Sequence, residues 1–412
     1  MKCCLSVSLF LVCLVAAAGG EQWPQFRGPR GNGIAEARGL PVQWSESSNI
    51  RWKTAIHGKG WSSPVVWDNQ IWMTTATEDG KERFAVCVDR QTGKILRDIK
   101  VFTDESPAFC HPYNSYASPS PVIEAGRVYV HFGSAGTACL DTATGKTLWE
   151  RRDLPCNHFR GPGSSPVRFD NLLILTFDGF DYQYLAALDK KTGATVWKTD
   201  RDIKYSTTDG DYKKAFSTPA IIEVDGKPQL VSPAAEATIA YNPATGAEVW
   251  RFIHGGMNAA SRPVAGHDLV FLTSGHTANL LAVRLGGTGD WTQEGLAWKS
   301  TKGVPTRPSM LLIDELLYMV NDGGVASCVE CRTGKALWQQ RLGGKFSASP
   351  TFAAGHIYLA DEDGKGYVLA PGSTFKLVAT NELGAGCMAS PAVVDDTLYW
   401  RTKTHLYAIV GK

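Results

Sequence analysis

Short apolar runs alternate with polar turns along almost the whole chain, and the pattern restarts eight times at a proline. A small residue, usually Ser or Ala, stands just before or one place ahead of most of these prolines. They are Pro64, Pro121, Pro166, Pro219, Pro263, Pro308, Pro350 and Pro391. Their successive spacings are 57, 45, 53, 44, 45, 42 and 41 residues. A repeat of about 40–50 residues is typical of solenoids, propellers and arrays.

The first half of each repeat has the pattern of a β-hairpin. An apolar run such as Val65-Val66 is followed by a polar turn such as Asp68-Asn69, and a second apolar run such as Ile71-Trp72-Met73 comes next. Asp-Gly and Asp-Asn pairs between apolar runs are hairpin signals, because a tight turn needs residues that tolerate positive φ. The pattern therefore predicts two antiparallel strands.

The second half of each repeat adds two more strands. A third run ends in the turn D-x-x-T-G, where the acidic side chain can bond the turn backbone and the glycine supplies a left-handed position. Complete turns begin at Asp89, Asp141 and Asp189, and close variants begin at Asn242 and Glu330. A fourth run often carries a tryptophan, namely Trp149, Trp197, Trp250, Trp298 or Trp338. Four strands without a helical stretch predict one antiparallel blade, whose apolar face only another blade can cover.

The repeats predict an all-β fold, an eight-bladed β-propeller of four-stranded antiparallel blades. The last repeat, residues 389–410, has room for only three strands, whereas residues 50–54 have the pattern of a fourth, with Trp52 in the tryptophan position. We expect this N-terminal strand to pair with the last blade and close the ring. Two repeats are degenerate, because residues 286–290 and 371–373 replace the Thr-Gly turn, and seven blades is the alternative count.

The chain begins like an exported protein. Lys2 is the only charge at the start, residues 5–15 are apolar, and Ala16-Ala17-Ala18 offers a small-residue cleavage site. The apolar run is too short to span a bilayer comfortably. We expect a signal peptide at 1–18, an N-terminal extension at 19–49 and the propeller at 50–412. The mature protein is then periplasmic or secreted, without a membrane span.

The net charge and the positions of the cysteines limit the kinds of partner and cross-link that we expect. The 412 residues carry a formal net charge of +2, which gives no reason to expect nucleic-acid binding. Removing the signal leaves seven of ten cysteines, and three of these occupy one equivalent strand position, as buried packing residues do. Cys110 and Cys156 lie in the long loops entering blades two and three, and we predict a disulfide between them. The C-x-x-C pair of Cys328 and Cys331 stands alone and is weak evidence for a metal.

The loops that precede the proline phrases gather at one mouth of the central channel. They are rich in cations, amides and aromatic side chains. The candidate binding residues are His57, Lys59, Trp61, Asn114, Tyr116, Asn157, His158, Arg160, Lys214, Arg262, Arg307 and Lys345. A basic, aromatic-lined mouth predicts an anionic ligand, such as a carboxylate, sulfate, phosphate or acidic protein segment. The alternative is that these are solvated loop residues, some paired with acids such as Asp178, Asp181, Asp322 or Asp361.

Catalytic motifs are scarce. The sequence has no G-x-S-x-G elbow, metal-spaced histidine pair or phosphate loop. His111 and His158 lie in neighbouring loops and could share a metal with Cys110 or Cys156, but two polar loop residues beside a disulfide is the simpler interpretation. We assign no catalytic residue and no metal site from the sequence.

The repeat A-x-D-x-x-T-G-x-x-x-W, best preserved at residues 187–197, resembles the tryptophan-docking repeat of PQQ-type propellers. That superfamily includes quinoprotein alcohol dehydrogenases and the non-catalytic outer-membrane assembly factor BamB. Residues 23–29 (WPQFRGP) and 114–119 (NSYASP) resemble a bacterial group of exported PQQ-like repeat proteins without an assigned activity. The resemblance covers residues 50–410 and implies a fold rather than a reaction.

The sequence departs from the quinoprotein enzymes at their cofactor site. Those enzymes hold PQQ with a vicinal cysteine pair, a calcium ion and a catalytic Asp, whereas the only adjacent cysteines here, Cys3 and Cys4, lie in the expected signal. We therefore favour a non-catalytic binding or scaffold protein that recognises a protein segment or a small anion. A PQQ- and calcium-dependent oxidoreductase is one alternative. A glycan-binding or glycan-processing propeller is another, and hydrolysis would need two carboxylates about 5–10 Å apart at the mouth.

Overall fold

The computed structural model describes residues 21–411, so the expected signal peptide lies outside the described residues. Within them the chain forms eight sheets, each built on four antiparallel strands, which confirms the eight-bladed all-β propeller. None of the helices in this part of the chain is long and apolar enough to cross a membrane.

The four strands of each blade follow one another outward from the channel. The innermost strands are β2 (Val65–Trp67), β6 (Val122–Glu124), β10 (Val167–Phe169), β14 (Ala220–Val224), β18 (Val264–Gly266), β23 (Leu311–Ile313), β27 (Thr351–Ala353) and β31 (Ala392–Val394). The second strands are β3 (Gln70–Ala76), β7 (Arg127–His131), β11 (Leu172–Asp178), β15 (Lys227–Pro233), β19 (Leu269–Thr273), β24 (Leu316–Val320), β28 (His356–Ala360) and β32 (Thr397–Arg401).

The outer half of each blade completes the sheet. The third strands are β4 (Glu82–Asp89), β8 (Thr137–Asp141), β12 (Gln183–Asp189), β16 (Ala237–Tyr241), β20 (Leu280–Arg284), β25 (Val325–Glu330), β29 (Lys365–Leu369) and β33 (His405–Val410). The outermost strands are β5 (Ile95–Thr103), β9 (Thr147–Arg151), β13 (Thr195–Asp200), β17 (Glu248–Ile253), β22 (Leu296–Ser300), β26 (Ala336–Arg341), β30 (Leu377–Glu382) and β1 (Ile50–Ala55). Two short 3₁₀ helices, Gly210–Lys213 and Gly275–Thr277, lie in loops.

The ring is closed by the N-terminal strand, as the sequence predicts. Strand β1 pairs antiparallel with β33, with Trp52 opposite Ala408 and Thr54 opposite Leu406. The eighth blade therefore contains strands from both ends of the propeller. Hydrogen bonds between these strands hold the two ends together without a covalent link.

The tryptophans of the outermost strands join neighbouring blades. The Trp149 indole Nε1 donates to the carbonyl of Lys190, 2.9 Å away in the Thr-Gly turn of the next blade. Gly193 of that turn has a φ of 74°, and a Cβ there would come within 2.7 Å of the indole. Glycine is therefore required both by the backbone conformation and by the docked ring. Trp52 docks in the same way, donating to the carbonyl of Arg90 at 3.0 Å.

The degenerate fifth repeat still forms a blade. Because it lacks a Thr-Gly turn, Trp250 of the fourth blade donates instead to Gln229 Oε1 of its own blade, at 2.9 Å. The glycine-rich segment provides a two-residue strand, β21 (Gly289–Asp290), which pairs parallel with β17 and covers the outer edge of the fourth blade. The glycine-rich segment thus takes the place of the Thr-Gly turn at the edge of the fourth blade.

The N-terminal extension crosses the central channel, which the sequence did not reveal. Trp23 exchanges backbone hydrogen bonds with Val66 of the first blade at 2.9 and 2.8 Å, and Ala35 donates to Phe352 of the seventh at 2.9 Å. Between them Arg27, only 2% exposed, donates to the carbonyls of Pro350 and Met310 at 3.2 and 2.6 Å. The extension therefore plugs the channel.

Candidate functional site

A ring of hydroxyl groups surrounds the channel where the innermost strands begin. In seven cases the backbone N–H of one blade donates to a Ser or Thr hydroxyl of the next, at 2.9–3.0 Å. The bonds run from Ser63 to Ser120, Ser120 to Ser165, Ser165 to Thr218, Arg262 to Ser309, Ser309 to Ser349, Ser349 to Ser390 and Ser390 to Ser63. This ring explains why small hydroxyl residues accompany the prolines.

Two blades depart from the repeated phrase at this ring. In the sixth, Pro308 precedes the ring residue Ser309, and Met310 takes the position that proline has elsewhere. In the fifth, Arg262 occupies the hydroxyl position, so that the ring is interrupted between the fourth and fifth blades. The Arg262 side chain is buried and donates from Nη1 to the carbonyl of Phe26 in the plug, at 2.7 Å.

The ring forms the floor of a cavity of about 630 Å³ at the mouth of the channel. We call it the mouth cavity. Phe26 of the plug closes the floor, and the apolar part of the wall comes from Trp61, Tyr113, Phe216, Met257 and Met388. The polar part comes from His111, Asn114, Arg160, His276, Arg307 and Asp322. A volume of this size, with apolar walls and a few polar groups, is typical of a small-molecule site.

The structure brings four of the twelve predicted binding residues to this cavity. They are Trp61, Asn114, Arg160 and Arg307. The amide of Asn114 does not face a ligand freely, because its Nδ2 donates to the carbonyls of Arg160 and Pro162, at 2.9 and 3.1 Å. Asn114 therefore positions the loop that carries Arg160.

The remaining predicted residues lie around or beneath the cavity. Lys59 Nζ donates to the carbonyl of Pro112 at 2.6 Å, His57 Nε2 lies 3.0 Å from Asp98 Oδ1, and Asn157 Oδ1 accepts from Phe159 N at 2.9 Å. Tyr116 and His158 line a second, smaller pocket, Lys214 is buried beside the mouth, and Lys345 is exposed outside the lining. Arg262 lies beneath the cavity, where it donates to the carbonyl of Phe26 in the plug.

The cations of the mouth are paired with acids, which corrects the prediction of a basic mouth. Arg160 Nη2 lies 3.0 Å from Asp211 Oδ2, and the buried Lys214 contacts the same carboxylate. Arg307 contacts Asp322 and lies 3.4 Å from Glu362 Oε1. The alternative weighed from the sequence, pairing with acids that include Asp322, describes Arg307 correctly.

The acid on the cavity wall is held ionised. Burial opposes ionisation of Asp322, but hydrogen bonds from Thr306 and Arg307 lower its pKa below the ordinary value. The backbone N–H of Thr306 donates to Asp322 Oδ2 at 2.7 Å. Desolvation lowers the pKa of Lys214 to about 8. Arg160, Lys214 and Arg307 are thus matched by three carboxylates, Asp211, Asp322 and Glu362.

Several residues of the cavity escaped the sequence analysis. The Tyr113 hydroxyl contacts the Glu362 carboxylate, and the Arg307 guanidinium carbon lies 4.5 Å from the Tyr113 ring centre. Ser347 Oγ also donates to Glu362 Oε1 at 2.9 Å. Tyr113 lies in the loop entering the second blade and Glu362 in a loop of the seventh, and no local sequence signal joins the two.

Sequence comparison places the chain in a family. A family model described as outer membrane protein assembly factor BamB matches residues 12–198, 181–327 and 235–409. The chain belongs to the PQQ-like β-propeller family. No curated protein sequence matches it significantly.

Solved structures of this family and of quinoprotein enzymes share the fold. BamB from Moraxella catarrhalis is 13% identical, with a TM-score of 0.61 over 87% of this chain and 99% of that one. Quinohemoprotein alcohol dehydrogenase from Comamonas testosteroni is 12% identical, with a TM-score of 0.70 over 97% and 82%. A europium-containing methanol dehydrogenase is 11% identical, with a TM-score of 0.70 over 94% and 91%. At these identities the likeness establishes the fold alone.

The mouth cavity of this PQQ-like propeller does not supply the residues that the quinoprotein resemblance requires. Its described lining contains no cysteine, and its one carboxylate, Asp322, is already engaged by Arg307 and Thr306. Residues 21–411 contain no group of three or more His, Cys, Asp or Glu side chains arranged to hold a metal ion. The donor set therefore does not fit PQQ with calcium in the manner of those enzymes.

The predicted disulfide is not formed. Cys110 and Cys156 are both free thiols. Cys110 Sγ faces the carbonyl of Arg160 at 3.7 Å, and Cys156 Sγ faces His158 Nδ1 at 3.7 Å. The two loops lie side by side, but their sulfur atoms are directed to different partners. Burial raises the pKa of the Cys110 thiol to about 11, which makes it a poor nucleophile.

Proposed function

We propose that this protein is an exported, non-catalytic binding protein that holds a small anionic ligand in the mouth cavity. The observation that supports the proposal most is the shape of the cavity. The hydroxyl ring and Phe26 line its floor, and the mouth loops line its walls. A ligand would enter from the mouth and would not pass through the ring.

The chemistry of the wall favours an anion with an apolar body. Arg160 and Arg307 line the cavity with side chains 38% and 32% exposed, so both guanidinium groups can meet a ligand while remaining paired with acids. Trp61, Tyr113 and Phe216 offer flat apolar surfaces beside them. Guanidinium groups bind carboxylates and phosphates through charge-assisted hydrogen bonds. An anion would share these guanidinium groups with Asp211 and Asp322.

Export and a non-catalytic role rest on the sequence and the family. The expected signal peptide and the name of the matching family, an outer membrane assembly factor, support a periplasmic or secreted location. Asp322 is the one carboxylate of the described cavity wall and is tied to Arg307, so it is poorly suited to general acid or base chemistry. An acidic segment of a partner protein would satisfy the same wall as a small anion.

PQQ is a suitable first probe, because it is flat, aromatic and carries three carboxylates. Thermal unfolding of the mature chain would be followed with PQQ alone and with PQQ plus calcium. A ligand at about 100 times its Kd should stabilise the fold by roughly 2.7 kcal/mol. We expect a saturable shift that does not need calcium. A calcium-dependent shift, with dye-linked alcohol oxidation, would instead support a quinoprotein oxidoreductase.

Variants assign the shift to the cavity. The double variant Arg160→Gln/Arg307→Gln should abolish the shift, which is measured against the variant's own unliganded unfolding temperature because both arginines also pair with acids. Lys345→Gln is the matched control, because Lys345 is an exposed cation that does not line the cavity. An unchanged shift in the double variant would refute anion binding at the mouth.

A further inference from the structure

A second pocket lies above the second blade, apart from the mouth cavity. It has a volume of about 240 Å³ and lies between the loops that enter the second and third blades. We call it the side pocket and define it by Arg83, Asp104, Phe109, Tyr116, Arg152 and Phe159. Within the described chain it shares no lining residue with the mouth cavity. A ligand in the mouth cavity would therefore leave the side pocket empty.

Arg152 presents a fixed guanidinium group to the side pocket. Its Nε donates to the carbonyl of Ala135 at 3.2 Å and its Nη2 to the carbonyl of Thr103 at 3.1 Å. The guanidinium carbon also lies 5.2 Å from the centre of the Phe102 ring. Arg152 makes no ion pair within residues 21–411, so its charge is held in place but not neutralised by a carboxylate.

Arg83 brings a second, buried cation to the same pocket. Its side chain is 3% exposed, and its Nη2 lies 3.5 Å from Asp104 Oδ2. Its Nε and Nη1 are buried without a hydrogen-bond partner among the described residues. A buried guanidinium group with so few hydrogen bonds is costly unless a further partner occupies the space beside it.

The charges of the side pocket sum to an excess of one cation. Arg83 and Arg152 face a single carboxylate, Asp104. His158, the histidine of the described lining, is partly buried, and desolvation lowers its pKa to about 4. It is therefore neutral at pH 7, and its Nε2 already accepts from the backbone N–H of Ser134 at 3.1 Å.

The rest of the lining is aromatic. Phe109 is 58% exposed at the rim and packs against Phe159, with the ring centres 6.1 Å apart. Tyr116 lies on the inner side, with its ring centre 5.5 Å from the Arg83 guanidinium carbon. An aromatic ring inserted here would cover the exposed Phe109 and could stack on its neighbours at favourable centroid distances.

We propose that the side pocket binds a carboxylate group carried by an aromatic ligand. The carboxylate would sit between Arg152 and Arg83, and the aromatic group would lie against the exposed face of Phe109, beside Phe159. A free aromatic acid and the C-terminal carboxylate of a peptide ending in an aromatic residue offer the same chemistry. The proposal is independent of the mouth cavity and would stand if that cavity held nothing.

Isothermal titration calorimetry with N-acetylphenylalanine as the probe tests the proposal. The neutral amide of the same molecule is the ligand control, and a dipeptide ending in phenylalanine tests the peptide source. We expect saturable binding of the acid and at least tenfold weaker binding of the amide, because charge-assisted hydrogen bonds to guanidinium groups would be lost. Asp104→Asn should tighten binding, since it removes the competing carboxylate.

Matched arginine variants locate the binding. Arg152→Gln should weaken binding at least tenfold and should fold, since the side chain is exposed. Arg151→Gln is the control, because Arg151 is the adjacent residue but pairs with Asp153 outside the pocket. Arg307→Gln, in the mouth, should leave binding unchanged. The proposal is overturned by absence of saturable binding, by equal binding of acid and amide, or by binding that Arg307→Gln weakens and Arg152→Gln does not.

Discussion

The docking tryptophans should carry a large share of the cohesion between blades, and Trp197 offers the clearest test. Its indole is buried, with the residue 8% exposed, and Nε1 donates to the carbonyl of Pro243 in the next blade at 3.1 Å. The ring lies against Gly246, where a Cβ would come within 2.5 Å of it. Trp197→Ala removes both the contact area and the hydrogen bond.

The magnitude follows from the buried area. A tryptophan buries roughly 150–250 Å², which at about 25 cal/mol per Å² amounts to about 4–6 kcal/mol. The lost hydrogen bond adds about 1 kcal/mol. Because the outermost strand lies near the surface, water can enter part of the space left by the ring and offset some of this loss. We therefore expect Trp197→Ala to lower the free energy of unfolding by about 3–5 kcal/mol.

Urea unfolding followed by far-ultraviolet circular dichroism measures this change, with midpoint and slope compared between variants. Trp197→Phe keeps much of the ring and should cost less than Trp197→Ala. Val196→Ala is the matched control, because Val196 precedes Trp197 on the same strand and is 53% exposed. It should change the free energy by no more than about 0.5 kcal/mol. A loss below about 1 kcal/mol in Trp197→Ala would refute the docking role.

Three further predictions concern stability. Ser165→Ala leaves the backbone N–H of Ser120 buried without an acceptor, and urea unfolding should show a loss of about 1–3 kcal/mol; an unchanged midpoint would contradict the ring. Gly193→Ala should destabilise more than Gly226→Ala, because both glycines have positive φ but only Gly193 has an indole within 2.7 Å of the added Cβ; equal losses would rule out the collision. Burial lowers the pKa of His131 to about 3, so its neutral form contributes stability above the unfolded-state pKa of about 6.5, and that stability is lost as pH falls from there towards 3. His131→Gln should flatten the pH dependence of unfolding in this window, and an unaltered slope would count against the assignment.

The features that recur in every blade could be predicted from the sequence because they depend on local chemistry. The Thr-Gly turn is specified by a few adjacent residues, and its glycine also explains where the tryptophan of the preceding blade must lie. The same reasoning assigned the strand that carries Trp52 as the missing outermost strand of the last blade. The structure confirms this, because Trp52 donates to the carbonyl of Arg90 as the other docking tryptophans do to their turns. Because the sequence repeats eight times, the pattern of one blade could be checked against the other repeats.

The binding site could be predicted only in part, because each mouth loop differs from the others. The sequence placed Arg160 and Arg307 correctly at the mouth but could not show their acid partners. Asp211 contacts both Arg160 and Lys214 only because a short 3₁₀ helix, Gly210–Lys213, presents its carboxylate to them. Arg262 looked like a mouth cation, but its position in the hydroxyl ring directs it to the plug. Such pairings depend on how unrelated loops meet.

The plug gives the mouth cavity its one-sided form, and this has a consequence for function. Without residues 21–37, the hydroxyl ring would surround an open channel, and Arg262 would lose its hydrogen bond to the carbonyl of Phe26. Arg27 would likewise leave the carbonyls of Met310 and Pro350 without their donor. The extension therefore joins blades one, two, five, six and seven across the axis while forming the floor against which a ligand would rest. Stability of the ring and shape of the site depend on the same segment, so a change in the plug should alter ligand binding and unfolding together.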